Sequence, residues 1–286
     1  MAFPVHRAPK FDPASDEPLL IHAGAVADWL VKFLYTECVT RRKMGRAVIG
    51  LSGGVDSAVT AYLCARAFGP ENVHAIRMPY KISSRESLDH AQLVIDDLGI
   101  RSDTVDITRM VDGYVAEEPE MTATRLGNVC ARARMTVLFD QSAKLGALPI
   151  GTGNKSERLF GYFTWHADDS PPINPLGDLL KTQVWQLARE LGVPEVIVNK
   201  PATADLIQGQ TDEGDFGISY PKADRILHFL TRGYPAEKLI EMGFASPEVD
   251  LVYGKVAKTH WKRRLPTVAV LSNSAIGEFY LRPVDY

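Results

Sequence analysis

Asp56 is a carboxylate set inside a run of glycines and hydroxyls, Ser52-Gly53-Gly54-Val55-Asp56-Ser57. Ahead of it, the apolar stretch Ala47 to Leu51 predicts a short buried parallel strand. Behind it, Ala58-Val59-Thr60-Ala61-Tyr62-Leu63 keeps helical spacing, so the order is strand, tight loop, helix. Two glycines let backbone N–H groups face inward, and the first turn of the helix adds free donors. Such a loop suits phosphate. It lacks the lysine of G-x-x-x-x-G-K-[ST], and the Asp56 carboxylate would repel phosphate unless a Mg²⁺ stood between them. Nucleotide plus Mg²⁺ is therefore the first reading. Gly50-Leu51-Ser52-Gly53-Gly54 also fits G-x-S-x-G, the nucleophile elbow of an α/β-hydrolase, but no series of strands and no His-Gly-Gly motif precedes it. A turn whose glycines serve packing alone is the third alternative.

Gly151-Thr152-Gly153-Asn154-Lys155-Ser156-Glu157 is the second chemical feature. Thr152 can bond a ribose or phosphate, Lys155 can supply the cation that the first loop lacks, and Glu157 can share Mg²⁺ with Asp56 through oxygen ligands. A glycine turn with an exposed Lys–Glu pair is the plainer alternative. In Gly127-Asn128-Val129-Cys130-Ala131-Arg132-Ala133-Arg134-Met135, Asn128 and Arg132 share a helix face while Arg134 points elsewhere. Arg132 either holds a phosphate or ribose or is a buried structural arginine. Thr203 to Tyr220, with Asp205, Asp212, Glu213 and Asp215, is either a lid or a solvated acidic loop. Lys181 opens a helix, where it either reaches the phosphates or decorates the surface.

The elements that must position these residues alternate. An amphipathic helix is expected from Pro18 to about Met44, strands over Asn72 to Met78 and Ser102 to Ile107, and helices over Glu86 to Leu98 and Thr122 to Leu145. A fourth strand starts at Leu148 and runs into the Gly151 turn. Beyond Ser170 the pattern is helical: Lys181 to Leu191, Lys222 to Thr231, Pro235 to Met242 and Pro247 to Lys262. Alternation of this kind predicts an α/β fold, a doubly wound, mostly parallel sheet covered by helices on both faces. Ligands collect at the carboxyl ends of such strands, where the Ser52 loop, Arg77 and the Gly151 turn all fall.

The 286 residues are expected to form a single domain (1–286), with an extended arm over 1–17 and a tail over 267–286. Lysine and arginine number 32 against 35 acidic residues, a net charge of −3 that gives no general pull toward nucleic acid or membrane. Cys38, Cys64 and Cys130 show no C-x-x-C spacing, which fits a reducing compartment without disulfides or zinc. No apolar leader or bilayer-length run stands out, so a cytoplasmic location is expected.

Ser-Gly-Gly-Val-Asp-Ser resembles the pyrophosphate loop of the ATP pyrophosphatases, which cleave ATP to AMP and pyrophosphate. With Gly-Asn-Val-Cys-Ala-Arg-Ala-Arg-Met, Gly-Thr-Gly-Asn-Lys-Ser-Glu, Gly161-Tyr162-Phe163-Thr164, Pro201-Ala202-Thr203-Ala204-Asp205-Leu206 and the run Asp212 to Tyr220, the chain from about 20 to 266 is similar to the ammonia-dependent NAD synthetases. That resemblance implies an adenine nucleotide alpha hydrolase-like fold and ATP-driven amidation of deamido-NAD by ammonia. It implies ATP contacts at Gly50, Leu51, Ser52, Gly53, Gly54, Val55, Asp56, Ser57, Arg77, Thr152, Lys181 and Thr203, with Asp56 and Lys181 catalytic and Mg²⁺ on Asp56 and Glu157. It places deamido-NAD on Arg132 and Lys262 at the interface of a homodimer, and Trp165, a departure from the family pattern, is expected to pack against the dinucleotide there. Ammonia is the expected donor, either free or delivered by a separate protein, since too few residues precede the first strand for a glutaminase.

Two departures touch the dinucleotide end. The family's Lys-Tyr-Gly-Asp after Gly-Tyr-Phe-Thr is Trp165-His166-Ala167-Asp168 here, and a later aspartate position falls on Pro172. The family's His-Lys-Arg is His260-Trp261-Lys262-Arg263. The rival readings are a tRNA-modifying ATP pyrophosphatase, which would want a basic face or paired cysteines, and a nucleotide sensor that has lost catalysis.

Overall fold

The structure, a computed structural model, describes residues 12–203, 210–264, 268–269 and 271. In chain order its elements are α1 (Ala23–Leu34), β1 (Ala47–Gly50), α2 (Val55–Phe68), β2 (Val73–Arg77), α3 (Arg85–Leu98), β3 (Arg101–Thr104), α4 (Thr108–Val115), α5 (Ala123–Leu145) and β4 (Leu148–Ile150). They continue with α6 (Lys155–Phe160), α7 (Lys181–Leu191), α8 (Glu195–Val198), α9 (Asp212–Phe216), α10 (Tyr220–Leu230), α11 (Ala236–Glu241) and α12 (Ser246–Lys258). All four strands are parallel, in the order β3-β2-β1-β4, with Ala47 opposite Val73 on one side and Leu148 on the other.

β1, β2 and β4 are short and mostly apolar, so successive side chains feed two separate cores, while β3, Arg-Ser-Asp-Thr, is a polar edge strand. Ala47, Ile49 and Ala75 pack with α1, α2 and α7, whereas Val48 and Ile76 pack with α4 and α5. The sheet is thus covered on both faces, as expected. Ile49 is fully buried, so truncating it to Ala would cost about 2–5 kcal/mol. A third core joins Phe160, Phe216, Tyr220 and Leu227, tying α6 to the C-terminal helices. Phe216 sits edge-on to Phe160 at 4.8 Å and to Tyr220 at 5.3 Å.

The chain goes from β1 outward to β2 and β3, then returns to place β4 on the other side of β1. The crevice between β1 and β4 is therefore the switch point, where the loops after both strands leave in opposite directions. That topology brings the Ser52 loop and the Gly151 turn together.

Several boundaries differ from the sequence reading. The expected helix from Pro18 is a 3-10 turn over Glu17–Leu19, an extended Leu20, and only then α1, whose His22 cap accepts from Ala25 N at 3.3 Å. The helix ends as a π-helical stretch over Tyr35–Arg41 rather than at Met44. Among the described residues this run, Glu17–Arg41 (25 residues), has the length and apolarity of a membrane span, contrary to the expectation that none would. The break at Leu20 and the charged Asp28, Lys32 and Glu37 interrupt it, while Ala27, Leu34 and Cys38 pack into the first core.

Helices α4, α6, α8 and α9, of four to eight residues each, escaped the sequence reading. The third strand stops at Thr104, because Ile107 turns into the core and leads α4. The C-terminal helix stops at Lys258, followed by a 3-10 turn over His260–Arg263. Of the expected arm, residues 1–11 lie outside the described residues. Its remainder is held to α10 by Arg225, which pairs with Asp16 at 2.9 Å and donates to Pro13 O. Of the tail over 267–286, only 268, 269 and 271 are described.

Candidate active site

After β1 the backbone turns through Gly53 at φ +80°. A Cβ there would lie 2.1 Å from the Ser87 carbonyl oxygen, so only glycine lets α3 start directly beneath the loop. Ser57 Oγ donates to Gly54 O at 3.0 Å and accepts from Ser52 N at 3.3 Å, closing the loop on itself. Gly54 caps α2 without any side-chain acceptor. The first-turn N–H groups of this 14-residue helix are therefore donors aimed at the cavity, with the helix dipole behind them.

Asp56 from this loop and Glu157 from α6 converge on one cation. Lys181 Nζ contacts Asp56 Oδ2 and lies 3.6 Å from Glu157, with only 2% of its side chain exposed. Asn154, wholly buried, joins the same group: its Nδ2 donates to Asp56 Oδ1 at 3.0 Å and its Oδ1 accepts from Glu157 N at 2.9 Å. Burial, and next the Asp56 carboxylate, push the Glu157 carboxyl from 4.5 up to about 8. Burial alone would lower the Lys181 ammonium; the Asp56 and Glu157 carboxylates more than reverse this and hold it above its ordinary range.

Lys181 reaches this point because Asp224, buried in α10, organises the starts of α6 and α7. Asp224 accepts from Ser156 Oγ at 2.6 Å and from Thr182 N and Oγ1, each at 2.9 Å. Ser156 Oγ in turn accepts from Lys181 N at 3.0 Å. Burial raises the Asp224 carboxyl to about 6 against these donors. The ammonium also stands 5.4 Å from the Tyr220 ring centroid, and Tyr220 donates to Asp212 at 2.8 Å.

A cavity of about 330 Å³ opens over this group. Gly50, Leu51, Ser52, Gly54, Val55, Asp56, Ser57, Arg77, Thr152, Glu157, Lys181 and Thr203 all line it; Gly53 packs below. Arg77 donates to Gln92 at 2.7 Å, and its Nε is buried without a partner. The deamido-NAD candidates lie together elsewhere: Arg132 donates to Trp165 O at 3.2 Å, and Lys262 donates to the carbonyls of Gly161 and Phe163. None of these three is a cavity wall, although Phe163 and Ala167 on either side of Trp165 are.

Some expectations are corrected. Lys155 pairs with Asp178 at 2.7 Å, so the cation beside the loop is Lys181. Asn128 and Arg132 do share a face, toward Thr164 and Trp165, and Arg134 points away from it, lining the cavity and donating to Met78 O at 3.0 Å. The acidic run is no solvated loop where it is described: Asp212 is buried, Glu213 accepts from Tyr220 N at 2.7 Å, and Asp215 accepts from Tyr162 at 2.7 Å. Asp205 lies outside the described residues. Asn154, Asp224, Arg158 and Lys200 were missed. Lys200 reaches the wall from beyond α8, bonded to Ser87 Oγ at 3.1 Å. The S/T-x-x-E-like spacing of Asn154 and Glu157 was the one signal available for the capping residue.

Among the described residues no group of three or more His, Cys, Asp or Glu side chains is built to hold a metal by itself. Two carboxylates facing a phosphate loop suit Mg²⁺, which takes one or two carboxylates and completes its shell with substrate phosphates and water. The buried cation already standing between Asp56 and Glu157 shows that the pair accommodates positive charge, so the residues fit the ion.

Sheet order, glycine loop and carboxylate pair together define an adenine nucleotide alpha hydrolase fold with a pyrophosphate loop. Comparison with known proteins narrows this. The NAD synthase family model matches residues 26–266. The NH(3)-dependent NAD(+) synthetase of Trichlorobacter lovleyi is 47% identical over 260 residues, 90% of this chain and 94% of the relative. The NH3-dependent NAD synthetase of Campylobacter jejuni, solved with a nitrate ion, superposes with a TM-score of 0.75 at 31% identity, covering 87% of this chain and 100% of that one. The NMN synthetase of Francisella tularensis gives a TM-score of 0.77 at 29% identity, covering 87% and 99%. The chain belongs to the NAD synthase family.

Proposed function

We propose that this chain amidates the nicotinate carboxylate of deamido-NAD with ammonia, using ATP and releasing AMP and pyrophosphate. The observation that carries the reading is the convergence of Asp56, Glu157 and Lys181 at the open first turn of α2. Ammonia only exchanges a proton with a carboxylate. The carboxylate oxygen therefore first attacks the α-phosphorus of ATP, the bond to pyrophosphate breaks, and a mixed anhydride forms. Ammonia then attacks the acyl carbon, AMP leaves, and one proton is released.

Charge accumulates on the departing pyrophosphate, which the N–H groups after Gly54 and the Lys181 ammonium stabilise. Asp56 and Glu157 would hold Mg²⁺, which would supply further positive charge there. Arg77, Thr152 and Thr203, spread along the cavity wall, hold the rest of ATP. Trp165, with Arg132 and Lys262 beside it, contributes to the deamido-NAD site in a homodimer. The exposed apolar side chains Met110 and Tyr114 on α4 and Phe139 on α5 support that assembly. Ammonia arrives free or from a separate protein. The three cysteines are all buried thiols, in keeping with a cytoplasmic enzyme built as one domain.

Pyrophosphate release that depends on both ammonium and deamido-NAD tests the reading; release indifferent to deamido-NAD would sink it, and glutamine should not replace ammonium. A second acceptor, nicotinate mononucleotide, is favoured by the likeness to the Francisella tularensis NMN synthetase together with Trp165 and Pro172 at the dinucleotide end. The ratio of kcat/KM for the two acceptors decides between them.

A further inference from the structure

Two cations stand over Phe163 and a third lies behind one of them. Lys262 Nζ lies 4.4 Å from its ring centroid and the Arg158 guanidinium 5.9 Å, while Arg263 holds the carbonyls around Arg158. Two of the three are fully engaged with backbone. Lys262 donates to Gly161 O and Phe163 O, and Arg263 donates to Leu159 O and Val256 O, each at 2.8 Å. Burial lowers both of these groups, and the Arg158 charge lowers Arg263 further.

Arg158 differs. Its side chain is half-buried and lines the cavity, and among the described residues its guanidinium has no carboxylate partner and no hydrogen bond. It follows Glu157 on α6, so the two side chains diverge by about 100° around the helix. Glu157 faces Asp56 and Lys181, whereas Arg158 faces Phe163 on the wall of the same cavity. The segment it faces carries Trp165, whose neighbours Phe163 and Ala167 line the same cavity. A planar guanidinium with five free donors in a walled crevice is suited to a phosphate or carboxylate.

We infer that Arg158 binds an anionic group, a phosphate or the carboxylate, of the nicotinate nucleotide. The inference rests on the proposed amidation. Binding through Arg158 orients the acceptor beside Glu157 without touching the pyrophosphate end of ATP. Arg158 is a binding residue, and no bond is made or broken on it.

The test begins with wild-type turnover of deamido-NAD; its absence would overturn the amidation reading itself. With turnover present, Arg158→Ala should raise KM for deamido-NAD about tenfold to a hundredfold, the loss expected for one charge-assisted contact. KM for ATP should stay within about twofold, and Arg158→Lys should recover part of the loss, since a point charge remains but the fork is gone. Calorimetric titration of deamido-NAD without ATP should show the same weakening, and the melting temperature should not move, because the side chain makes no hydrogen bond to lose. Unchanged KM and affinity for deamido-NAD, or ATP and deamido-NAD weakened together, would each overturn the assignment to the nicotinate nucleotide while leaving the amidation reading standing.

Discussion

Replacing Lys181 by Met keeps the buried methylene volume and deletes one charge, so it isolates what the ammonium does. The side chain is 2% exposed, against 17% for Asp56 and 19% for Glu157, so water cannot take its place. Removing one partner of a buried pair costs about 3–5 kcal/mol. The lower end applies here, because Asp56 keeps the 3.0 Å bond from Asn154. With about 2.1 cal/mol/K of unfolding entropy per residue, a chain of 286 residues should lose about 5 °C in Tm.

The sign of the pH dependence follows from Glu157. A carboxyl raised in the fold from 4.5 to about 8 contributes stability that is complete below 4.5 and is lost as pH rises toward 8. Lys181→Met removes the charge that holds this group down, so its Tm deficit should be larger at pH 8.5 than at pH 6. Mg²⁺ should narrow the deficit at pH 8.5, stabilising the variant more than the wild type. Scanning calorimetry at both pH values, with and without Mg²⁺, makes the comparison. A variant melting within 1 °C of wild type at pH 8.5, about a fifth of the loss worked out above, would refute the argument, as would equal stabilisation of both by Mg²⁺.

Gly53→Ala should abolish nucleotide binding and lower Tm, since the new Cβ would lie 2.1 Å from Ser87 O; retention of wild-type ATP affinity in a binding titration would contradict the packing argument. Asn154→Ser keeps an acceptor for the start of α6 but loses the donor to Asp56. It should cost about 1 kcal/mol in stability and raise the Mg²⁺ concentration needed for half-activity, read from Mg²⁺ titrations of turnover. Trp165→Ala removes an edge contact to Trp261 at 5.3 Å, and should raise KM for deamido-NAD with KM for ATP nearly unchanged; both moving together with Tm would make Trp165 a structural anchor.

The strand, loop and helix around Ser52 were legible because they are local in sequence. Ser52 to Ser57 is one continuous loop, and strand and helix patterns on either side fix where it points. The proximity of Asp56 to Glu157, which converge on Lys181, also followed from two loops at the carboxyl ends of neighbouring strands. What stayed hidden depends on contacts between distant segments. Asp224 is 68 residues from Ser156 and 42 from Thr182, and no pattern in α10 distinguishes it from a surface aspartate. Lys155 and Lys181 are equally plausible cations by type, and only the fold gives one to Asp178 and the other to Asp56. Helices of four to six residues such as α8 and α9 are too short for a period to be read.

The two ends of the site are also built differently, and this decides where substitutions are tolerable. Beside the Ser52 loop three buried side chains each have two partners: Asn154 serves Asp56 and Glu157, Lys181 serves the same pair, and Asp224 serves Ser156 and Thr182. Losing any one member leaves a buried group unsatisfied, at about 1–3 kcal/mol for a neutral group and more for a charge. At the other end Arg132, Lys262 and Arg263 grip backbone carbonyls, which any sequence provides. A side chain there, such as Trp165, can therefore be exchanged without orphaning a partner. In the proposed reading Arg158 is the uncommitted charge at this end, and it can serve the acceptor without disturbing the buried pairs that hold Lys181.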